Sequence, residues 1–315
     1  GLEVHFLDIG QGDSALLFCG DETLLIDGGK VKNNQKLIAR LKELEVDHLD
    51  AVICSHPDED HCGGLSAVLA STRTDAFYCS VDSWHTKVFS DVTKYVAEQG
   101  ISVTIPQAGD SFAFGEASVE FLGPVEDYGD DPNEGSLVAR VRYGETSFLF
   151  TGDMGFEAED DMLAAGVDVS ATVLKVAHHG SAGSSSTEFL QAVHPQYAVI
   201  SVGADNDYGH PTEAALNRLS ACGIPVYRTD LLGEIIAVSD GKTVTITSAS
   251  NEAPPASDAA SQTAGSYGYV GNSSSKVVHL ASCGKLPGES NRVYFASLDE
   301  ALAAGYCKHA NCLGN

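Results

Sequence analysis

With 315 residues, 43% of them hydrophobic and 8% aromatic, the chain has the size and composition of a globular protein with one large domain and a smaller one, and no apolar run approaches the roughly 20 residues of a bilayer-spanning helix. Its formal charge of −26 sits mainly in front, where residues 1–247 carry 14 Lys+Arg against 39 Asp+Glu. Such a field repels polyanions and attracts cations, which argues against a tight, general nucleic-acid binder and requires any nucleic-acid substrate to be held by metal ions or a local basic patch.

The first residues, GLEVHFLDIG, read as a strand, with no signal peptide before it; a mature secreted chain reads the same way. Leu37, Ile38, Leu41 and Leu44 then recur at helical spacing. LDAVICS (49–55) is a continuous apolar run of strand length, GGLSAVLA (63–70) reads as the start of a helix, and HPDEDH (56–61) between them is expected as a loop at a strand's carboxyl end. SVEFLGP, SLVARVRYG, TSFLFTGD, TVLKVAHHG, YAVISVG, EIIAVSD and KTVTITS come next as strands, with hairpin turns at Gly144-Glu145 and Asp240-Gly241. Ala214, Leu216 and Leu219 give a weaker helical pattern. Hairpins mixed with strand-helix-strand units predict stacked sheets with helices outside. SASNEAPPASDAASQTAGS (248–266) has almost nothing to bury and reads as a flexible linker, which divides the chain into a front domain, 1–247, and a tail, 267–315.

HPDEDH offers His56, Asp58, Asp60 and His61, the imidazole and carboxylate donors that divalent cations accept. A solvated acidic loop with surface histidines is the alternative. Against it, FLFTGDM ends a strand on Gly152-Asp153 and VLKVAHHGS ends another on His178-His179, so three strand ends offer metal-binding groups.

The motifs HFLDIGQGDSALL, LLIDGG, SHPDEDHCGGL, SLVARVRYGETSFLFTGDM, LKVAHHGSAGSSS and SVGADNDYGHP occur in the order found in metallo-β-lactamase-fold hydrolases, and residues 2–247 most resemble the hydrolase domain of the DNA-uptake protein ComEC. The resemblance implies an α/β fold, a four-layer αββα sandwich with a metal site at one edge. The superfamily pattern H-x-H-x-D-H falls on His56, Asp58, Asp60 and His61, with Asp58 replacing a histidine. The bridging carboxylate falls on Asp153 and the closing imidazole on His179, which leaves His178 beside the substrate; the reverse assignment of the two histidines stays open. The superfamily histidine before the TGD strand has no counterpart, and Asn133 stands near its place. Asp60, His61, Asp153 and His179 would hold one metal, and His56, Asp58 and Asp153 a second, an oxygen-rich set that suits manganese better than zinc.

Such a site supports hydrolysis by a metal-activated water. The expected function is a metal-dependent phosphodiesterase cutting DNA, in an extracellular or cell-surface bacterial setting; the alternative is a non-nucleolytic hydrolase such as a teichoic-acid phosphocholine esterase or a lactonase. Asp60 takes a catalytic as well as a ligand role. Asp13 and Asp27 would support the ligands or cap buried turns. His210, just before a helix, would contact a phosphate or protonate the leaving oxygen, or is a surface turn residue.

The tail resembles the small zinc domain of the Ada DNA-repair protein, which follows hydrolase domains in secreted bacterial proteins. On that resemblance, Cys283, His309 and Cys312, with His279 or Cys307, would hold a structural zinc, and the module would dock on cell wall or nucleic acid. A disulfide from Cys283 to Cys307 or Cys312 is the competing reading.

Overall fold

A computed structural model of the chain describes residues 1–204, 206–250, 269–280, 286–288, 291–295, 298–304 and 306–308. Two mixed sheets form the front part. The eight-stranded sheet runs, edge to edge, through strands Val244–Ser248, Ile235–Ser239, Leu2–Phe6, Ala15–Cys19, Glu22–Ile26, Ala51–Cys54, Phe77–Cys79 and Val103–Thr104. The seven-stranded sheet runs through Val226–Arg228, Tyr197–Ile200, Val173–Lys175, Thr146–Phe150, Val138–Tyr143, Ala117–Gly123 and Ser111–Phe114.

Both faces of each sheet are covered, and the side-chain alternation of a strand sorts residues between two cores. Ala15, Leu17 and Cys19 enter the core between the sheets, whereas Leu16 faces an outer core with Leu37, Leu65 and Phe89 from helices Asn34–Glu43, Leu65–Ser71 and Lys87–Glu98. Phe148 and Phe150 likewise enter the central core while Leu149 packs with Met162, Phe189 and Leu219 of helices Phe156–Ala164, Thr187–Val193 and Glu213–Ala221. The layers are therefore α, β, β, α. Polar side chains start several of the helices: Thr86, Ser186 and Thr212 accept from the backbone N–H groups of Phe89, Phe189 and Ala215.

Each sheet is antiparallel in its hairpin half and parallel in its helix-connected half. The change occurs at Glu22–Ile26, which pairs antiparallel with Ala15–Cys19 and parallel with Ala51–Cys54, and at Thr146–Phe150, antiparallel to Val138–Tyr143 and parallel to Val173–Lys175. The carboxyl ends of these parallel strands lead into Asp27, Ser55-His56, Asp153 and His178-His179, and open sheets place ligands at such ends.

The turn at Gly144-Glu145 joins Tyr143 to its partner Thr146, and Asp240-Gly241 lies in the connection between the partners Ser239 and Val244. One expectation is corrected. HPDEDH is not loop throughout: Glu59–Cys62 forms a helical turn, with the N–H groups of His61 and Cys62 donating to Asp58 O at 3.0 and 2.9 Å. Two acids in its first turn favour that geometry.

Past Val244–Ser248 the chain is described again from Tyr269. Strands Arg292–Phe295, Tyr269–Asn272, Val277–Leu280 and Cys307–Lys308 form a third sheet in that order, over Val278, Phe295, Ala301 and Tyr306. Tyr294 Oη lies 2.5 Å from Thr187 Oγ1, and Arg292 Nη1 lies 3.5 Å from Glu188 Oε1. Of the proposed linker, residues 251–266 lie outside the described residues.

Candidate metal centre

Loops from both sheets meet in a pocket of about 120 Å³ lined by Gln11, Asp58, Asp60, Asn133, Asp153, His178, His179, Tyr208 and His210. His61, beneath it, is fully buried; its Nδ1 lies 2.8 Å from Asp27 Oδ2 and its Nε2 lies 3.0 Å from Asp153 Oδ1. Asp27 is itself fixed, because Oδ1 accepts from Ser55 N and Oδ2 from Ser55 Oγ, both at 2.7 Å. A proton on Nδ1, donated to Asp27, leaves the Nε2 lone pair facing a carboxylate oxygen. Two acceptors at that distance must share a proton or a metal ion.

His179 repeats the arrangement. Its Nδ1 lies 2.9 Å from Ser201 O and 3.1 Å from Asp13 Oδ1, while Nε2 lies 3.5 Å from Asp60 Oδ2 and 3.6 Å from Asp153 Oδ2. His56 is fully buried, with Nδ1 at 3.0 Å from Ser55 Oγ and 3.3 Å from Ser136 Oγ and with Nε2 at 3.9 Å from Asp58 Oδ2. His56 Nε2, His61 Nε2, His179 Nε2 and Asp153 Oδ1 are buried without a hydrogen-bond partner among the described residues. Converging orphaned donor atoms of this kind fit a divalent cation.

Asp13, His61, Asp153 and His179 each offer a donor atom within 4.8 Å of the others, all buried. Asp13, however, stands on the Nδ1 side of both imidazoles and forms an ion pair with buried Lys175. It orients the ligands from behind, whereas Asp60 lies on the Nε2 side of His179. On the assignment that the sequence resemblance implies, Asp60, His61, Asp153 and His179 would hold one ion, and His56, Asp58 and Asp153 a second; Asp60 stands 3.5 Å from His179 Nε2 and Asp58 3.9 Å from His56 Nε2.

Proton affinities follow the same geometry. Burial opposes a charge on His61, but Asp153, Asp13 and Asp27 raise it well above the usual imidazole range; His179 is raised to about 9 against burial by Asp153 and Asp13. Both attract a positive charge that a metal ion would replace. Burial and then the charge on His61 push His56 down to about 3, so at neutral pH it is an uncharged imidazole, the ligating form. Burial disfavours the charge on Asp60, yet His179, whose Nε2 stands 3.5 Å away, and the charge on His61 bring it below the ordinary carboxylate range.

His178 and His179 both lie in the left-handed region, at φ 51° and 52°. Consecutive non-glycine residues there are strained, and the strain turns both rings toward the pocket. His178 is 31% exposed, with Nε2 at 3.6 Å from Asp153 Oδ2. Its ring centroid is 5.5 Å from that of His210, which burial and the neighbouring His178 and His179 hold down at about 4. Asn133 contributes a buried Oδ1 without a partner among the described residues. Sequence reading missed Ser55, Ser136 and Lys175. Serines beside histidines carry no distinctive spacing, and Lys175 lies in LKVAHHG, where only the histidines drew notice.

Residues 7–204 match the family described as Metallo-beta-lactamase superfamily. The chain belongs to that superfamily. This superfamily member is 36% identical over 230 residues to "Competence protein ComA" of Neisseria gonorrhoeae, an alignment covering 72% of this chain and 31% of that protein. It is 31% identical over 251 residues to "ComE operon protein 3" of Bacillus subtilis, covering 74% and 32% of the two. "Recombination protein 2" of Haemophilus influenzae is 29% identical over 239 residues, covering 74% and 28%. The chain spans about a third of the length of these relatives. Among solved structures, the "CmlA beta-hydroxylase E377D mutant" superposes with a TM-score of 0.51 at 14% identity, covering 75% of this chain and 53% of that one, a likeness of fold.

In the tail, His279 is buried on strand Val277–Leu280 and Cys307 is exposed. Cys283, His309 and Cys312 lie outside the described residues.

Proposed function

We propose that this metallo-β-lactamase-superfamily hydrolase is a phosphodiesterase that cuts DNA, with manganese preferred over zinc. The observation that carries it is Asp153, buried in the lining of an acid-lined pocket, whose two oxygens face His61 Nε2 on one side and His178 and His179 on the other. Bound there, a divalent cation supplies an activated water and neutralises charge on a phosphoryl oxygen. The chain's own groups do the rest. Asp13, Asp27, Ser55 and the Ser201 carbonyl hold the imidazoles in orientation. On this reading His178, partly exposed on the wall, contacts the phosphoryl group or returns a proton to the leaving oxygen, and His210 shares that wall. The names of the relatives, competence and recombination proteins, favour DNA as the substrate.

The charge of −26 favours a second reading, a small substrate such as a phosphocholine ester or a lactone. Incubating metal-reconstituted protein with plasmid, linear single-stranded DNA and bis-p-nitrophenyl phosphate separates the two. Cleavage of DNA supports the first reading; turnover of the generic diester with intact DNA overturns it. The division into 1–247, 248–266 and 267–315, a zinc held by His279, Cys283, His309 and Cys312, docking of the tail on cell wall or nucleic acid, and an extracellular or cell-surface location belong to the same proposal.

A further inference from the structure

The loop after strand Tyr197–Ile200 is organised by one side chain. Asn206 Nδ2 donates to Gly203 O and His210 O at 2.9 and 2.7 Å, and its Oδ1 accepts from Tyr208 N and His210 N at 3.2 and 2.9 Å. The loop so fixed holds Tyr208 stacked against His210, with ring centroids 5.8 Å apart and planes at 23°. Tyr208 lines the pocket and is 59% exposed, so it adds little to any core. Its place at the mouth follows from the loop's hydrogen bonds rather than from burial.

Lys30 reaches the same ring from the other sheet. It lies three residues beyond Asp27, on a loop tied to the centre by Gly29 N donating to Asp13 O at 2.8 Å. Its ammonium is 5.1 Å from the Tyr208 ring centroid and 3.4 Å from the Tyr208 hydroxyl. In a domain of 14 bases against 39 acids, this puts a cation at the mouth of the acid-lined pocket, where Lys30 forms no ion pair with a carboxylate among the described residues.

We propose that Tyr208 and Lys30 form a rim subsite for the nucleotide next to the scissile phosphate: an unpaired base stacks on the Tyr208 ring and the Lys30 ammonium takes the neighbouring phosphate. The inference rests on the phosphodiesterase reading above. An aromatic platform beside a cation suits an unpaired base, since in a duplex both faces of each base are already stacked. It does not suit phosphocholine, because a quaternary ammonium seeking the ring would meet the cation already there.

Fluorescence anisotropy tests this on the full chain, using a labelled thymidine octanucleotide and an abasic octanucleotide of equal charge, with unlabelled phosphocholine as competitor. The wild type binds the base-bearing strand about 10-fold more tightly than the abasic one. Tyr208→Ala removes that difference and Tyr208→Phe retains it, which a merely structural role would not produce. Lys30→Ala weakens both strands alike and lowers the salt slope by about one phosphate contact. Equal discrimination in the wild type and Tyr208→Ala overturns the proposal, as does displacement of the octanucleotide by phosphocholine. If the wild type cuts single-stranded DNA while Tyr208→Ala binds and cuts it equally well, the subsite falls and the phosphodiesterase reading stands. If the wild type leaves DNA intact while hydrolysing bis-p-nitrophenyl phosphate, that reading falls and takes the subsite with it.

Discussion

His61 Nε2 and Asp153 Oδ1 face each other at 3.0 Å, one carried by the helical turn after strand Ala51–Cys54 of the first sheet and the other by the end of strand Thr146–Phe150 of the second. The ligand set is thus split between the two sheets, and the packing of Phe6 against Phe150, stacked at 5.9 Å, lies in the core that joins them. In the proposed reading Asp153 is also the group that would address both metal positions, since its oxygens lie 3.0 Å from His61 Nε2 and 3.6 Å from His179 Nε2. Asp153→Ala is expected to remove bound metal and to lower hydrolysis of bis-p-nitrophenyl phosphate together, the latter by at least about 10²-fold. Elemental analysis beside the rate checks it; full metal content with lost turnover would remove Asp153 from the ligand set.

Asp27 acts one step back, through His61 Nδ1 and Ser55. An amide keeps one acceptor oxygen where the carboxylate has two, so either the His61 ring or Ser55 N, which fixes the loop, loses its acceptor. Asp27→Asn is expected to weaken metal affinity about 10- to 100-fold while Asp153 and Asp60 stay in place. Competition against a metal-binding dye measures the change, and unaltered affinity would assign Asp27 to backbone support alone.

Much of this centre was legible as motif. Histidines and acids at strand ends announce themselves because apolar runs stop there, and His56, Asp60, His61, Asp153 and His179 stand in or around one pocket. Less legible were groups whose role depends on a partner far along the chain. Lys175 meets Asp13, and Tyr208 meets Lys30, only because the two sheets pack together. Among the elements, helix Lys87–Glu98 was absent from the pattern of strands and helices expected, although Phe89, Val92 and Val96 carry its spacing. The hairpin pairing Ala15–Cys19 with Glu22–Ile26 was hidden because both strands are largely buried on two faces and show no polar alternation.

The proposed metal preference rests on the second set of groups. There His56 would bring one nitrogen while Asp58 and Asp153 would bring oxygen, and Asn133 lines the pocket wall. Dialysed protein is expected to regain more activity with manganese than with zinc. Equal or greater recovery with zinc at matched occupancy would reject the oxygen-rich second position.

The neighbouring histidines should separate by their exposure. His179→Ala is expected to lower metal content, because its Nε2 is buried among Asp60 and Asp153. His178→Ala should retain metal and slow turnover by roughly 10²-fold, the scale of a lost proton donor or transition-state contact. Depletion in His178→Ala with full occupancy in His179→Ala would reverse the roles.

The segment after these histidines is clamped from two sides. Glu159 accepts from Ser185 N at 2.5 Å and Ser186 N at 2.8 Å, and buried Arg218 donates to the carbonyls of Ala182, Ser184 and Ser185. Burial raises Glu159 to about 7 from 4.5, against the hydrogen bonds of Ser186 and Ser185 and the charge of Arg218. A folded-state value above the unfolded one means that the stabilisation is fully present below pH 4.5 and is lost as pH rises through about 7. The shift corresponds to about 3 kcal/mol. In Glu159→Gln this dependence is absent, although the amide can accept only one of the two backbone N–H groups. The variant is therefore expected to be less stable than the wild type at pH 4.5, with the gap narrowing by up to about 3 kcal/mol towards pH 8. Urea unfolding of both proteins with chelator present, so that metal linkage is constant, measures the gap at each pH; a gap that does not change with pH would show that folding does not raise the Glu159 pKa.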